Sequence, residues 1–126
     1  MDEPTKASGL GGLMTRGDVL VEAQSWGRLE WMVSGALRNS NALTVGKCFI
    51  EAGQQNPVHH HPNCDEVLHV IAGRIRHRVG EEYVEMTAGD TISIPMGSVH
   101  NATNIGDEMC ELLICFDTAS REVVGE

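Results

Sequence analysis

Aromatic residues are scarce in this 126-residue chain: Trp26, Trp31, Phe49, Tyr83 and Phe116 make up 4% of it. Basic residues are sparse too, nine Lys and Arg against 18 Asp and Glu, for a formal charge of −9 with His neutral. A surface that repels phosphates and offers little to stack on bases excludes nucleic acid as a partner, and an anionic membrane surface with it. No stretch approaches the roughly 20 apolar residues that cross a bilayer. The acidic start, Met1-Asp2-Glu3-Pro4, shows no secretory leader, so a cytoplasmic location is expected. The same acidity favours the accumulation of cations.

The cysteine pattern is equally negative. Cys48, Cys64, Cys110 and Cys115 form no C-x-x-C pair. Cys48, Cys110 and Cys115 sit in apolar runs and are expected to be buried, reduced thiols. Cys64 lies elsewhere and is taken up below.

What is present fits one globular domain, with 41% hydrophobic residues and a length that leaves room for little else. Residues 1–17, rich in glycine and small polar types, read as a flexible N-terminal arm, and 18–126 as a single barrel domain. Val19 to Val33 is expected to form one or two strands, because Gly27 and the lack of a capped helical period argue against helix.

Beyond Ala42 the chain reads as short strands separated by turn chemistry: Leu43–Glu51, Val67–Ala72, a strand through Ile75, His77 and Val79, then Tyr83–Met86, Thr91–Ile94, Val99–Ala102 and Met109–Phe116. Arg74, Arg76 and Arg78 alternate with Ile75, His77 and Val79, the period of a strand with unlike faces. Leu112 to Phe116 is continuously apolar, as for a strand covered on both sides. Many short strands and almost no helix predict an all-β barrel or sandwich.

Four residues carry the candidate chemistry. His59 and His61 project from one face of a strand, a chelating pair for a borderline-soft divalent ion. Glu66 opens an apolar strand, where a carboxylate is costly to bury unless paired or coordinated. His100 follows a later turn. On residue types alone these are either a metal site or a polar loop, a surface carboxylate and a hydrogen-bonded core histidine.

The glycines and prolines around them shift that balance. The first stretch reads Gly53-x5-His59-x-His61-x4-Glu66-x6-Gly73, and the second Gly89-x5-Pro95-x-Gly97-x2-His100-x3-Asn104. Over 53–73 and 89–104 these resemble the two signature motifs of the cupin superfamily at every defining position. The resemblance implies a double-stranded β-helix (cupin/jelly-roll) barrel, often a homodimer. It further implies one metal held by His59, His61, Glu66 and His100, while Gly53, Gly73, Gly89, Pro95, Gly97 and Asn104 are structural.

Three imidazoles and a carboxylate suit Fe, Mn, Ni, Zn, Co or Cu as the divalent ion, not calcium or magnesium. The expected function is that of a metalloenzyme acting on a small polar organic molecule, with a lean towards a dioxygenase. The alternatives are a metal-dependent isomerase, lyase or decarboxylase on a sugar or organic acid, and a non-catalytic barrel that binds a metal or metabolite; the family supports all of these. Cys64, between His61 and Glu66, reads as a loop residue near the site, and Asp65 as an exposed charge. The Arg74, Arg76 and Arg78 stripe reads as a solvated face or dimer contact, and otherwise as an anion site. His69 and His77 read as packed, hydrogen-bonded histidines, and Tyr83 as a candidate proton-transfer residue.

Overall fold

The computed structural model describes residues 12–125. Eleven strands and one 3-10 turn, Arg16–Asp18, account for its regular structure. The strands are β1 (Leu20–Gln24), β2 (Gly27–Val33), β3 (Thr44–Ile50), β4 (His59–His60), β5 (Glu66–Ala72) and β6 (Arg74–Val79). They continue with β7 (Glu82–Thr87), β8 (Thr91–Ile94), β9 (His100–Asn104), β10 (Cys110–Phe116) and β11 (Val124–Gly125). No α-helix occurs among the described residues. Most of the arm expected over 1–17 lies outside them; of its remainder, Met14 packs against the core.

Two antiparallel sheets face each other. One has six strands in the order β1-β2-β3-β10-β5-β8, the other five in the order β11-β4-β9-β6-β7. Neighbours far apart in sequence, such as β3 beside β10 and β6 beside β9, are the mark of a double-stranded β-helix. The region from Val19 to Val33 forms two strands, joined as a hairpin that extends the six-stranded sheet.

Alternation along the strands builds the interior. From β3 come Cys48 and Ile50, from β5 Leu68 and Val70, from β6 Ile75, and from β10 Leu112, Ile114 and Phe116, all buried. Each such side chain removed from water contributes about 1.5–3 kcal/mol. The continuous apolar run of β10 does not mean cover on both faces: Leu113 and Cys115 are only half-buried on its outer side. Cys48 and Cys110 are buried, as expected of them, and Cys115 is not.

Two close approaches explain glycines. Gly46 lies under Trp31, and a Cβ there would come 2.4 Å from the indole Cε3. Gly73, at φ +96°, turns β5 into β6, and a Cβ would come 2.8 Å from that of Cys110. Asn104 closes the lower end of the barrel. Its Nδ2 donates to the carbonyls of Ile50 (2.7 Å) and Glu108 (2.8 Å), and its Oδ1 accepts from the Gly106 N–H.

Candidate metal centre

Both sheets deliver side chains to one end of the interior. His59 on β4 stands directly opposite His100 on β9, and Glu66 on β5 stands opposite Phe116 on β10. His61 follows β4 on the turn that leads to β5. The four expected ligands thus meet: one donor atom from each of His59, His61, Glu66 and His100 lies within 4.8 Å of all the others. Donors bound at about 2.0–2.2 Å to a single ion stand about 3–4 Å apart, so a small contraction would complete a coordination sphere. Glu66 Oε1 is already 3.0 Å from His100 Nε2 and 3.2 Å from His61 Nε2.

Backbone carbonyls determine which ring nitrogen faces that point. His59 Nδ1 bonds to the Pro57 carbonyl (2.6 Å), His61 Nδ1 to that of Glu122 (2.8 Å) and His100 Nδ1 to that of Ser98 (2.8 Å). A carbonyl oxygen only accepts, so each Nδ1 is the donor and carries its hydrogen. In the neutral ring each Nε2 then holds a lone pair, the arrangement that ligating histidines adopt. His61 Nε2 is buried with no hydrogen-bond partner, close to the Glu66 charge but not aligned with it. A cation between these groups would satisfy it. The donor set therefore fits a divalent transition metal.

The titration of the group agrees. Burial pulls His59 down to about 4, and the neighbouring His100 and His61 add to that, so the ring is neutral near pH 7. Burial alone would raise Glu66, but the hydrogen bond from His100 and the adjoining His61 ring overcome it and hold the carboxyl near 2. His100 moves upward: burial opposes its charge, and Glu66 more than compensates. Without a metal, then, the Glu66 carboxylate favours the protonated form of His100.

These groups line a cavity of about 270 Å³ to which the β1–β2 hairpin also contributes. Trp26, Leu29, Leu68, Leu112 and Ile114 give it a mostly apolar lining. Two residues in it were not anticipated as functional. His77 is buried with its ring 6.0 Å from that of His100 and nearly parallel to it, yet its Nδ1 has no partner, contrary to the hydrogen-bonded role expected of it. Its inward position beside Ile75 was legible; its missing partner was not. Arg121, beyond the last motif, reaches the cavity from the segment after β10, and no pattern in the sequence marks it.

Other residues lie apart from the site. Cys64 is buried in the core, where desolvation and then Asp117 push its thiol up to about 11. Asp65 accepts from the Met96 N–H at 2.7 Å and touches no ligand imidazole. Arg74 and Arg76 are exposed on the outer face of β6, Arg76 over the Tyr83 ring, and Arg78 donates to the Gly80 carbonyl. The stripe is an outer face and lines no part of the cavity. Tyr83, exposed on β7, is outside the cavity as well. His69 bonds Thr91 Oγ1 through Nδ1.

A jelly-roll barrel with three imidazoles and one carboxylate gathered inside it defines a class: a barrel with a metal-type donor set. The sequence profile of the cupin domain matches residues 46–116, and the chain belongs to the cupin family. It is 30% identical over 91 residues to germin-like protein 3-8 of Oryza sativa subsp. japonica, a match covering 68% of this chain and 40% of that protein. The chain thus spans about two fifths of the length of that relative. Its fold superposes on the oxalate decarboxylase of Lactobacillus farciminis with a TM-score of 0.80 at 21% identity, over 86% of this chain and 34% of the other. It also superposes on the Bacillus subtilis oxalate decarboxylase, a protein with Mn(II) centres, at a TM-score of 0.76 and 25% identity, over 82% of this chain and 29% of that one. No described helix is long and apolar enough to cross a membrane.

Proposed function

We propose that the chain is a mononuclear metal-dependent cupin enzyme in which His59, His61, Glu66 and His100 hold one divalent transition metal and the cavity receives a small organic molecule. The observation that carries this reading is the set of three carbonyl-held Nδ1 atoms, which turn the three Nε2 atoms towards one carboxylate. Manganese is the first ion to test, because the Mn(II)-containing B. subtilis decarboxylase is among the solved relatives at 25% identity. When bound, the ion supplies a Lewis-acid or redox centre at the cavity wall. The protein supplies orientation and a mostly apolar enclosure that limits water around the reacting molecule.

Metal analysis of protein purified without a metal-affinity column tests the site. One ion per chain is expected, lost in folded His100→Ala and Glu66→Gln variants; full retention in both variants would remove the reading. Oxygen uptake and CO₂ release, measured on a panel of diketones, catechols and organic acids, separate dioxygenation from decarboxylation. Turnover of none of them by the loaded protein would favour a binding module.

A homodimer belongs to the same reading. Every residue of β1 is exposed, Leu20 and Val21 included, and its outer edge has no strand partner among the described residues. An open edge of this kind favours association with a second copy. Light scattering at micromolar concentration checks it, and a monomer would exclude the dimer.

A further inference from the structure

Arg121 is the cationic side chain of the cavity. Its Cζ sits 4.4 Å from the centre of the Trp31 ring and 5.2 Å from that of Phe116. Phe116 in turn meets the His61 ring edge-on at 5.0 Å. One phenyl ring therefore touches both the guanidinium and a candidate metal ligand. Aromatic rings stabilise a guanidinium through its charge and accept none of its hydrogens in the manner of a carboxylate. Among the described residues Arg121 forms no ion pair, and none of its five N–H donors makes a hydrogen bond. Glu22, which also lines the cavity, has its Oε1 engaged by Trp31 Nε1 at 2.9 Å. On the opposite sheet, the Nδ1 of buried His77 is, like His61 Nε2, a polar atom of the same cavity without a hydrogen-bond partner.

A rigid fork of donors held on an aromatic platform is the arrangement that receives a planar anion in two parallel hydrogen bonds. The rest of the wall limits what that anion carries. The lining includes Trp26, Leu29, Leu68, Leu112 and Ile114, which suit a hydrocarbon body, and Glu22 and Glu66, which disfavour a second negative charge on the ligand. The cavity, about 270 Å³, suits a compact molecule.

We propose that Arg121 is the anion-binding, specificity-determining residue of this cavity, and that its ligand is a small monocarboxylate with an apolar body. The proposal rests on the metalloenzyme reading for its catalytic meaning, but the recognition of the carboxylate by Arg121 needs no metal. The two can therefore fail separately.

The test is titration of isocaproate and of its uncharged isostere isocaproamide into the full chain, metal-free and Mn(II)-loaded. It is followed by calorimetry and by tryptophan fluorescence, since Trp26 and Trp31 flank the site. In the metal-free protein the acid is expected to bind about tenfold tighter than the amide. That preference disappears in Arg121→Gln and survives in part in Arg121→Lys, which keeps the charge but not the fork. Equal binding of acid and amide by the metal-free wild type, no saturable binding of the acid, or an undiminished preference in Arg121→Gln each overturns the proposal. Circular dichroism establishes that the variants fold; were Arg121→Gln unfolded, the wild-type comparison and Arg121→Lys still decide. If the chain takes up no metal yet loses its acid preference with Arg121, this proposal stands and the metalloenzyme reading falls.

Discussion

His61 Nδ1 and the backbone carbonyl of Glu122 are 2.8 Å apart, across 61 residues of sequence. The C-terminal segment thereby orients a candidate metal ligand. It is fastened to the same loop by Asn63, whose Nδ2 donates to the Ser120 carbonyl (3.0 Å) and whose Oδ1 accepts from the Glu122 N–H (2.9 Å). Outer contacts of this type are worth about 10–100-fold in metal affinity. Deleting residues 120–126 is therefore expected to weaken Mn(II) binding by about that factor, with Asn63→Ala giving a smaller loss. The β3–β10–β5 core stays intact in both. Competition titration with a chelator reads the effect; an unchanged dissociation constant in the deletion would show that the segment does not position His61.

Glu66→Gln separates the charge of the site from its shape. In the wild type, burial opposes protonation of His100 and the Glu66 carboxylate outweighs it, leaving the imidazole above its ordinary 6.5. With an amide in place of the carboxylate, burial is opposed only by the Ser98 carbonyl bond, so His100 should titrate lower in the metal-free variant than in the metal-free wild type. Proton–nitrogen NMR of the imidazoles follows this directly. A His100 whose titration is unchanged from wild type would mean that the Glu66 carboxylate does not hold its proton.

The motif glycines and prolines made the barrel legible because they mark places where the chain must turn. Gly53, Gly73, Gly89 and Gly97 all take positive φ. The spacing of His59, His61, Glu66 and His100 was legible for the same reason, since each lies at a fixed distance from such a turn. What the pattern could not show was long-range. The Glu122 carbonyl and Arg121 come from a segment with no motif, and their roles depend on where β10 delivers it. His77 was visible as an inward residue, but a missing hydrogen-bond partner is a property of the packed neighbours. The apolar run in β10 misled because hydrophobicity does not reveal which neighbour covers a face; Leu113 and Cys115 face outward on a sheet whose other side holds the core.

Asn104→Ala tests the structural half of the second motif. The substitution leaves the Ile50 and Glu108 carbonyls and the Gly106 N–H without their present partner. Unsatisfied groups at a buried site cost about 1–3 kcal/mol each, less where water reaches them, so a loss of about 2–4 kcal/mol is expected in urea unfolding. Asn104 sits at the opposite end of β9 from His100, so the metal affinity of the folded variant should stay near wild type. A stability change under 1 kcal/mol would count against its closing role.

Acid should destabilise the metal-free barrel well before its carboxylates are protonated. Burial holds His77 near 4, with His100 adding to the effect, and burial likewise holds His59 near 4. Both rings ionise near 6.5 once the chain unfolds. Between about 6.5 and 4 the unfolded chain then binds the extra protons, and stability falls as pH falls. Glu66, held near 2 against 4.5 unfolded, adds a further loss below about 4.5. His100 runs the other way: its raised value gives a contribution fully present below 6.5 and lost as the pH rises through the folded value. Two depressed histidines against one raised one leave a net decline, about 1–3 kcal/mol between pH 6.5 and 4.5 after allowance for partial exposure of His59. Urea melts of chelator-treated protein across that range measure it, and His77→Phe, which keeps a flat ring but cannot ionise, should make the slope shallower. A profile that is flat or rises towards acid in the wild type would mean that His77 and His59 are not held neutral by their surroundings.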